Sequence, residues 1–197
     1  TYDAMREATD GNRHIRPSDE LIRLDGIVSG DSVTNTSTAM YDTKDVVYAG
    51  DIPKTKTVTY NASFTTANAD EADNYTFDTA PNTETVTKQQ TITGVGIISP
   101  RSVTVTFGKA KKIYDGTVTN NQITATGLDD GLSGAVFRDD HITAASFSTA
   151  GVTSRFGDGL TEATFHANKN AGSRTVEYTN ISNSLGGNYS IANTQYG

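Results

Sequence analysis

Hydrophobic and polar residues alternate along much of the chain. In "KTVTYNASF" (56–64), Val58, Tyr60, Ala62 and Phe64 fall on one side, with Thr, Asn and Ser on the other. In "SVTVTF" (102–107), Val103, Val105 and Phe107 alternate with threonines. In "RTVEYTNIS" (174–182), Val176, Tyr178 and, after one irregular step, Ile181 turn inward. A period of two is the signature of sheets with one buried face. The one helix-like stretch is "PSDELIRLDGI" (17–27), where Ser18 is placed as N-cap for one or two turns carrying Leu21, Ile22 and Leu24. The expectation is an all-β protein of two tandem β-sandwich-like modules. The alternative, raised by residues 17–27, is a β-grasp-like module with one short helix.

The division into two rests on an internal repeat. Tyr2-Asp3 and Tyr114-Asp115 stand 112 residues apart, and Asn74-Tyr75 and Asn188-Tyr189 stand 114 apart. Between them "GDSV" (30–33) matches "DDHI" (139–142), and "YAG…KTVTY" (48–60) matches "NAG…RTVEY" (170–178). One repeated dipeptide is expected by chance in so biased a composition, whereas five landmarks in the same order are not. The boundary falls in "GVGIISPRSVTV" (94–105): a strand closes the first module, and Pro100, which fixes φ and lacks an N–H donor, interrupts before the next strand opens. The modules are residues 1–99 and 100–197.

Composition reinforces the strand reading. Thr is the commonest residue, at 32 of 197, and Thr favours strands while the abundant Asn, Gly and Asp favour turns. Hydrophobic content is 35% and Trp is absent, so two modest cores must lean on regular sheet hydrogen bonding. The net charge of −7 repels phosphate backbones and argues against a nucleic-acid partner. No run of about 18 apolar residues occurs, as membrane insertion by a helix would require. The lack of cysteine excludes zinc–thiolate sites, a cysteine nucleophile and disulfide stapling.

With these residues in view the sequence resembles a family. "KIYDGT" near a module start, "SGDSV" within one, "NKNAG" before a penultimate strand, "GNYS" near an end and "ISPRSVTV" between modules resemble the YDG-type repeats of large bacterial surface and secreted proteins, including haemagglutinin-like adhesins. The resemblance covers the whole chain, once per half. The second half carries Gly116 in "YDG" and Gly187 in "GNY". The first departs, with Ala4 and Asp73 at those places, and a φ above zero at Ala4 would be strained. The resemblance implies an extracellular β-module repeated as a stalk on the bacterial cell surface or in a secreted protein. It implies neighbouring repeats of the same chain as partners and no catalytic residue.

Each candidate site has a plain structural reading beside the functional one. Tyr114-Asp115-Gly116 suits a sugar-contacting loop, but the preferred reading is a strand that ends in an Asp-led turn, and Tyr2-Asp3 is the structural counterpart in the first half. Asn74-Tyr75 and Asn188-Tyr189 read as a turn-capping amide followed by an inward ring. His14, His141 and His166 have no paired spacing, and no GxSxG, SxxK, GxxxxGKS or HExxH string is present, so hydrolase and nucleotide-binding readings lose support. Asp129, Asp130, Asp139 and Asp140 offer carboxylates for calcium but do not fit the D-x-D-x-D-G loop, and solvated turn acids explain them as well. Lys111, Lys112 and Lys169 are candidates for a Lys–Asn isopeptide cross-link that no spacing singles out. No cofactor is called for.

The functional expectation is a stalk or spacer of a bacterial cell-surface adhesin that projects a distal binding domain. The alternative is an adhesin module that itself binds a host glycan or protein. Three structural expectations accompany it. The halves share one topology with Tyr2 and Tyr114 in equivalent places, and Tyr75 and Tyr189 are mostly buried. The glycine-free junction "IISPRSV" (97–103) makes the pair a semi-rigid rod.

Overall fold

A computed structural model describes residues 1–11, 13–67, 73–77 and 89–197. The protein is all-β, with short helical turns between strands. It divides into two compact units, Thr1–Ser99 and Pro100–Gly197.

Unit 1 opens with an irregular segment and one helical turn, α1 (Ser18–Leu21), followed by strands β1 (Val33–Asn35), β2 (Thr38–Tyr41), β3 (Tyr48–Ala49), β4 (Ile52–Pro53), β5 (Lys56–Thr66) and β6 (Gln89–Gly96). The long strand β5 organises it. Both β1 and β2 pair antiparallel with β5 in one continuous register, from Val33 opposite Thr66 to Tyr41 opposite Val58, so they act as a single strand interrupted at Thr36 and Ser37. β6 runs antiparallel along β5 from Ser63 to Lys56. Val58 and Ala62 are buried, as the alternation requires, and Tyr60 and Phe64 on the same side are half-buried. Ser18 is not the N-cap of α1: Pro17 holds that place and no side chain caps the turn. The Ser18 hydroxyl instead donates to the Asn35 carbonyl at 2.7 Å, fastening α1 to β1.

Unit 2 contains β7 (Arg101–Phe107), β8 (Thr119–Asn120), β9 (Ala125–Asp129), a helical turn α2 (Ala135–Asp139), a 3-10 turn (Ala144–Ser146), then β10 (Thr153–Asp158), β11 (His166–Ala167), β12 (Thr175–Thr179), β13 (Tyr189–Ile191) and β14 (Gln195–Tyr196). One sheet has the order β11-β10-β12-β14, with β8 also on β10; the other is β13-β7-β9, in which β13 and β7 are parallel. Val105 from the second sheet meets Val176 and Tyr178 from the first, together with Phe147, Val152 and Ile181. The Phe107 ring stacks on Tyr178 with centroids 3.9 Å apart. Each fully buried side chain of this kind contributes about 1.5–3 kcal/mol. Glu177 is the polar exception on β12: it is buried but paired with Arg155 and accepts the Tyr196 hydroxyl proton.

α2 has no helical periodicity in sequence. It exists because Asp130 is buried at its start and accepts the amides of Leu132, Gly134 and Val136. Arg101 Nη1 in turn donates to the Asp130 carbonyl at 2.9 Å. One carboxylate thereby satisfies donors that a short helix leaves free.

The units share a three-stranded core in one register. In unit 1 Val58 lies between Tyr41 on β2 and Gly94 on β6. In unit 2 Val176 lies between Phe156 on β10 and Gly197, with which it exchanges two backbone hydrogen bonds of 2.8 and 3.0 Å. The flanking pairs follow: Tyr60 faces Ile92, and Tyr178 faces Gln195. Glycine is required at 94, where an added Cβ would stand 2.8 Å from the Tyr60 ring. The shared topology stops at this core. The parallel β7–β13 pair of unit 2 has no counterpart among the described residues of unit 1.

Candidate functional site

The repeated residues are joined to one another in the same way in both units. The Tyr75 hydroxyl donates to Asp31 Oδ2 at 2.6 Å, and the Tyr189 hydroxyl donates to Asp140 Oδ2 at 2.8 Å. Asp31 and Asp140 occupy the same place in the matched strings "GDSV" and "DDHI". Two landmarks separated by 44 and 49 residues are thus the two ends of one bond. A hydrogen bond to a charged group is worth about 1.5–3 kcal/mol, and closing so long a loop makes it a topological tie as well as a local one.

The rings behind these hydroxyls differ in burial. Tyr189 is 2% exposed and packs against Phe137 of α2 at 5.7 Å. Tyr75 is only half-buried, not mostly buried as the polar flanks suggested. Phe64 and Phe77 give it edge-on aromatic company, directly and in turn, while its hydroxyl also accepts the Val28 amide at the surface. Asn188 contributes its carbonyl to the Arg101 amide, and Asn74 is exposed. Asn183 holds the turn before Tyr189, its Nδ2 donating to the Gly186 and Tyr189 carbonyls at 3.0 and 2.6 Å. The Asn-x-x-Gly spacing was the signal for it.

The Tyr-Asp landmark is a turn. Asp3 Oδ1 accepts the Met5 amide at 3.0 Å, and Asp115 Oδ1 accepts the Thr117 amide at 2.9 Å, the same two-residue Asx turn. The residue between is left-handed in both, Ala4 at φ 66° and Gly116 at φ 80°. Lys112 Nζ lies 2.7 Å from Asp115, and its hydrogen bond, with that of the Thr117 amide, lowers the Asp115 carboxyl to about 2. The turns match, but the rings before them do not. Tyr2 is fully buried, with its hydroxyl accepting from Lys44 Nζ at 2.6 Å, whereas Tyr114 is 61% exposed. Tyr2 and Tyr114 thus precede matching turns, while their rings differ in burial.

The basic residue opening each central strand also has a repeated task. Lys56 Nζ is buried, donates to the carbonyls of Thr43 and Asp45 at 2.5 and 2.7 Å, and lies 3.4 Å from Asp42. Arg174 Nη1 lies 3.4 Å from Asp158 and donates to the Ser173 carbonyl. In each case the base reaches an acid just beyond the aromatic residue of the neighbouring strand.

The acidic cluster of unit 2 is distributed among these structural tasks. Asp130 caps α2, Asp140 accepts from Tyr189, and Asp129 Oδ1 accepts the Gly131 amide. Burial opposes ionisation of Asp130, but three backbone amides and Arg101 outweigh it, so its carboxyl titrates below the usual range. Asp139 is exposed. Among the described residues no group of three or more His, Asp or Glu is gathered as a metal site requires. His14 lies at the surface, 2.9 Å from Asp10, and His141 and His166 are exposed. Of the lysines considered for cross-linking, Lys112 serves the Asp115 turn through Asp115 and the Thr117 and Thr119 carbonyls, while Lys111 and Lys169 are exposed. Among the described residues no helix is long and apolar enough to cross a membrane.

Unit 2 contains an open groove of about 730 Å³ between the segment 107–117 and the segment 168–174. A polar cavity of about 210 Å³ in unit 1 lies beside Asp3, Tyr41, Ile97 and Ile98. Comparison with known proteins returned no matching family model, no matching curated protein and no matching solved structure.

Proposed function

We propose that the chain is a pair of YDG-type spacer repeats from an extracellular, bacterial cell-surface or secreted adhesin, where modules in series project a distal binding domain. The observation that carries this reading is the use of the repeated residues. The Tyr-Asp turn, the Tyr–Asp tie, the base at the head of the central strand and the strand itself all serve to hold a sheet together. A repeat whose recurring residues are structural is suited to length and spacing, with partners that are the neighbouring repeats.

The second reading, a module that binds a host glycan or protein, draws on the groove of unit 2, where Tyr114 is exposed beside Lys112 and Asn168. Aromatic faces with polar neighbours suit sugars. A glycan array and a plate assay against host matrix proteins, run on the 197-residue chain, separate the two. The spacer reading expects no saturable partner. Saturable binding abolished by Tyr114→Ala would overturn it.

A further inference from the structure

One face of the common core differs between the two units. On β12 of unit 2 it carries Glu177, which is buried, with Arg155 of β10 and Tyr196 of β14 beside it in register. Phe165 covers this face, its ring centroid 5.5 Å from that of Tyr196 and 5.3 Å from the Arg155 guanidinium. In unit 1 the position after the central valine is Thr59, with Met40 of β2 and Thr93 of β6 beside it. Thr93 is exposed and Thr59 half-buried.

Around Thr59 this face is made of hydroxyls and methyls. Asn61 stands between Thr38 on β2 and Thr91 on β6. Further along, the hydroxyls of Thr36 and Ser63 bond each other at 2.8 Å. In the other direction Thr57 faces Val95, which is 71% exposed. Thr36, Thr38, Thr57 and Thr91 are exposed. The alternation sends Tyr60 and Phe64 of β5 to the opposite face. Charge is confined to the margin, at Glu7 beside Met40 and Asp42 beside Thr57.

We propose that the threonine face of unit 1, centred on Thr59, Asn61, Thr91 and Thr93, binds ice. A sheet repeats its outward side chains about 6.6–6.8 Å along a strand and about 4.7–4.9 Å between strands. Faces of hexagonal ice repeat their oxygens in two dimensions at intervals of similar size. Threonine is stiff at χ1, so its hydroxyl and methyl keep fixed places. The hydroxyl both donates to and accepts from water, and the methyl restricts first-shell water without binding it. Water is thereby held at the sheet's own spacing, in an array that a growing crystal can absorb. A sugar polymer needs a ring to stack on, and a protein partner needs an aromatic or arginine anchor. Among the described residues this face offers neither. In unit 2 the equivalent positions hold Glu177, Arg155 and Tyr196 under Phe165, so the property belongs to unit 1. The inference does not depend on the spacer reading, since a host partner bound at unit 2 would leave it intact.

The test grows ice slowly on a cold finger in a solution of the 197-residue chain and measures the protein in the melted ice by absorbance. Osmometry on single ice crystals in the same solution reads the gap between melting and freezing points. The chain should be enriched in the ice and should open that gap. Thr59→Lys and Thr93→Lys each place a long charged side chain within the array, and each should lose both effects while its NMR spectrum stays that of the folded chain. Thr93 is exposed on β6, so its variant still decides the matter if Thr59→Lys disturbs the central strand. Thr104→Lys, at an exposed position of β7 in unit 2, should keep both effects. Exclusion of the unaltered chain from ice with no gap would overturn the inference. So would effects that survive both unit 1 substitutions, or that Thr104→Lys abolishes equally. Retention of the chain on crystalline cellulose or chitin without uptake into ice would also contradict it, assigning the face to a glycan.

Discussion

Tyr2 is fully buried and Tyr114 is 61% exposed, although the Asp after each makes the same turn and the residue after that takes the same left-handed conformation. Local turn chemistry depends on a few neighbouring residues and repeats wherever they repeat. Burial depends on what a distant part of the chain brings to the ring: in unit 1 Lys44 Nζ stands over the Tyr2 ring and bonds its hydroxyl, while the Ser99 carbonyl holds its amide. The pair Tyr75 and Tyr189 makes the same point from the other direction. Their hydroxyls find equivalent aspartates, while one ring is half-buried and the other closed under α2. The units are one core with two different surrounds.

The largest expected difference comes from deleting the tie tyrosines. Tyr189→Ala removes a buried ring and should cost unit 2 about 3–5 kcal/mol, lowering its transition below that of unit 1. Tyr75→Ala should cost unit 1 clearly less, because that ring is half-buried. Chemical denaturation with residue-resolved NMR reads the units separately. Equal losses would break the contrast in burial.

A smaller effect, of opposite sign in the two units, is expected at the turns. Ala4 holds a left-handed conformation that costs an L-residue about 1–2 kcal/mol, part of which glycine's greater unfolded freedom offsets. Ala4→Gly should therefore stabilise unit 1 by up to about 1 kcal/mol, and Gly116→Ala should destabilise unit 2 by a similar amount. The same denaturation series checks both.

The smallest effect is electrostatic. The Asp115 carboxyl sits at about 2, below its ordinary 3.8, because Lys112 and the Thr117 amide bond its charged form, and Asp130 is lowered as well. A carboxyl depressed in the folded state contributes stability that is complete above its unfolded value and is lost as pH falls through the folded value. Unit 2 should therefore weaken between about pH 4 and pH 2. Asp115→Asn should flatten part of that slope, while leaving unit 1 unchanged, in melts across that range.

Much of the core was legible in the sequence, for identifiable reasons. Val58, Val103, Val105, Val176 and Tyr178 alternate strictly with polar neighbours, and all five are buried. The boundary at Pro100 was legible because proline interrupts a strand pattern. α2 was not, since it is held by the Asp130 carboxylate and the Arg101 side chain from another strand, and no periodicity encodes that. The Ser18 cap was misread because its hydroxyl found Asn35, a partner brought near by the sheet. The matched strings "GDSV" and "DDHI" were visible, but that each supplies the acceptor for a tyrosine more than forty residues later required the fold. Nothing in the alternation distinguishes Tyr2 from Tyr114, because the difference lies in residues distant in sequence, Lys44 and Ser99, that the fold brings to Tyr2.

The central claim is that the two units are built on one tied core, and a pair of double-mutant cycles tests it most directly. Tyr75→Phe with Asp31→Asn in unit 1, and Tyr189→Phe with Asp140→Asn in unit 2, should each give a coupling energy of about 1–3 kcal/mol, of the same sign and similar size. Coupling in one unit and none in the other would contradict it.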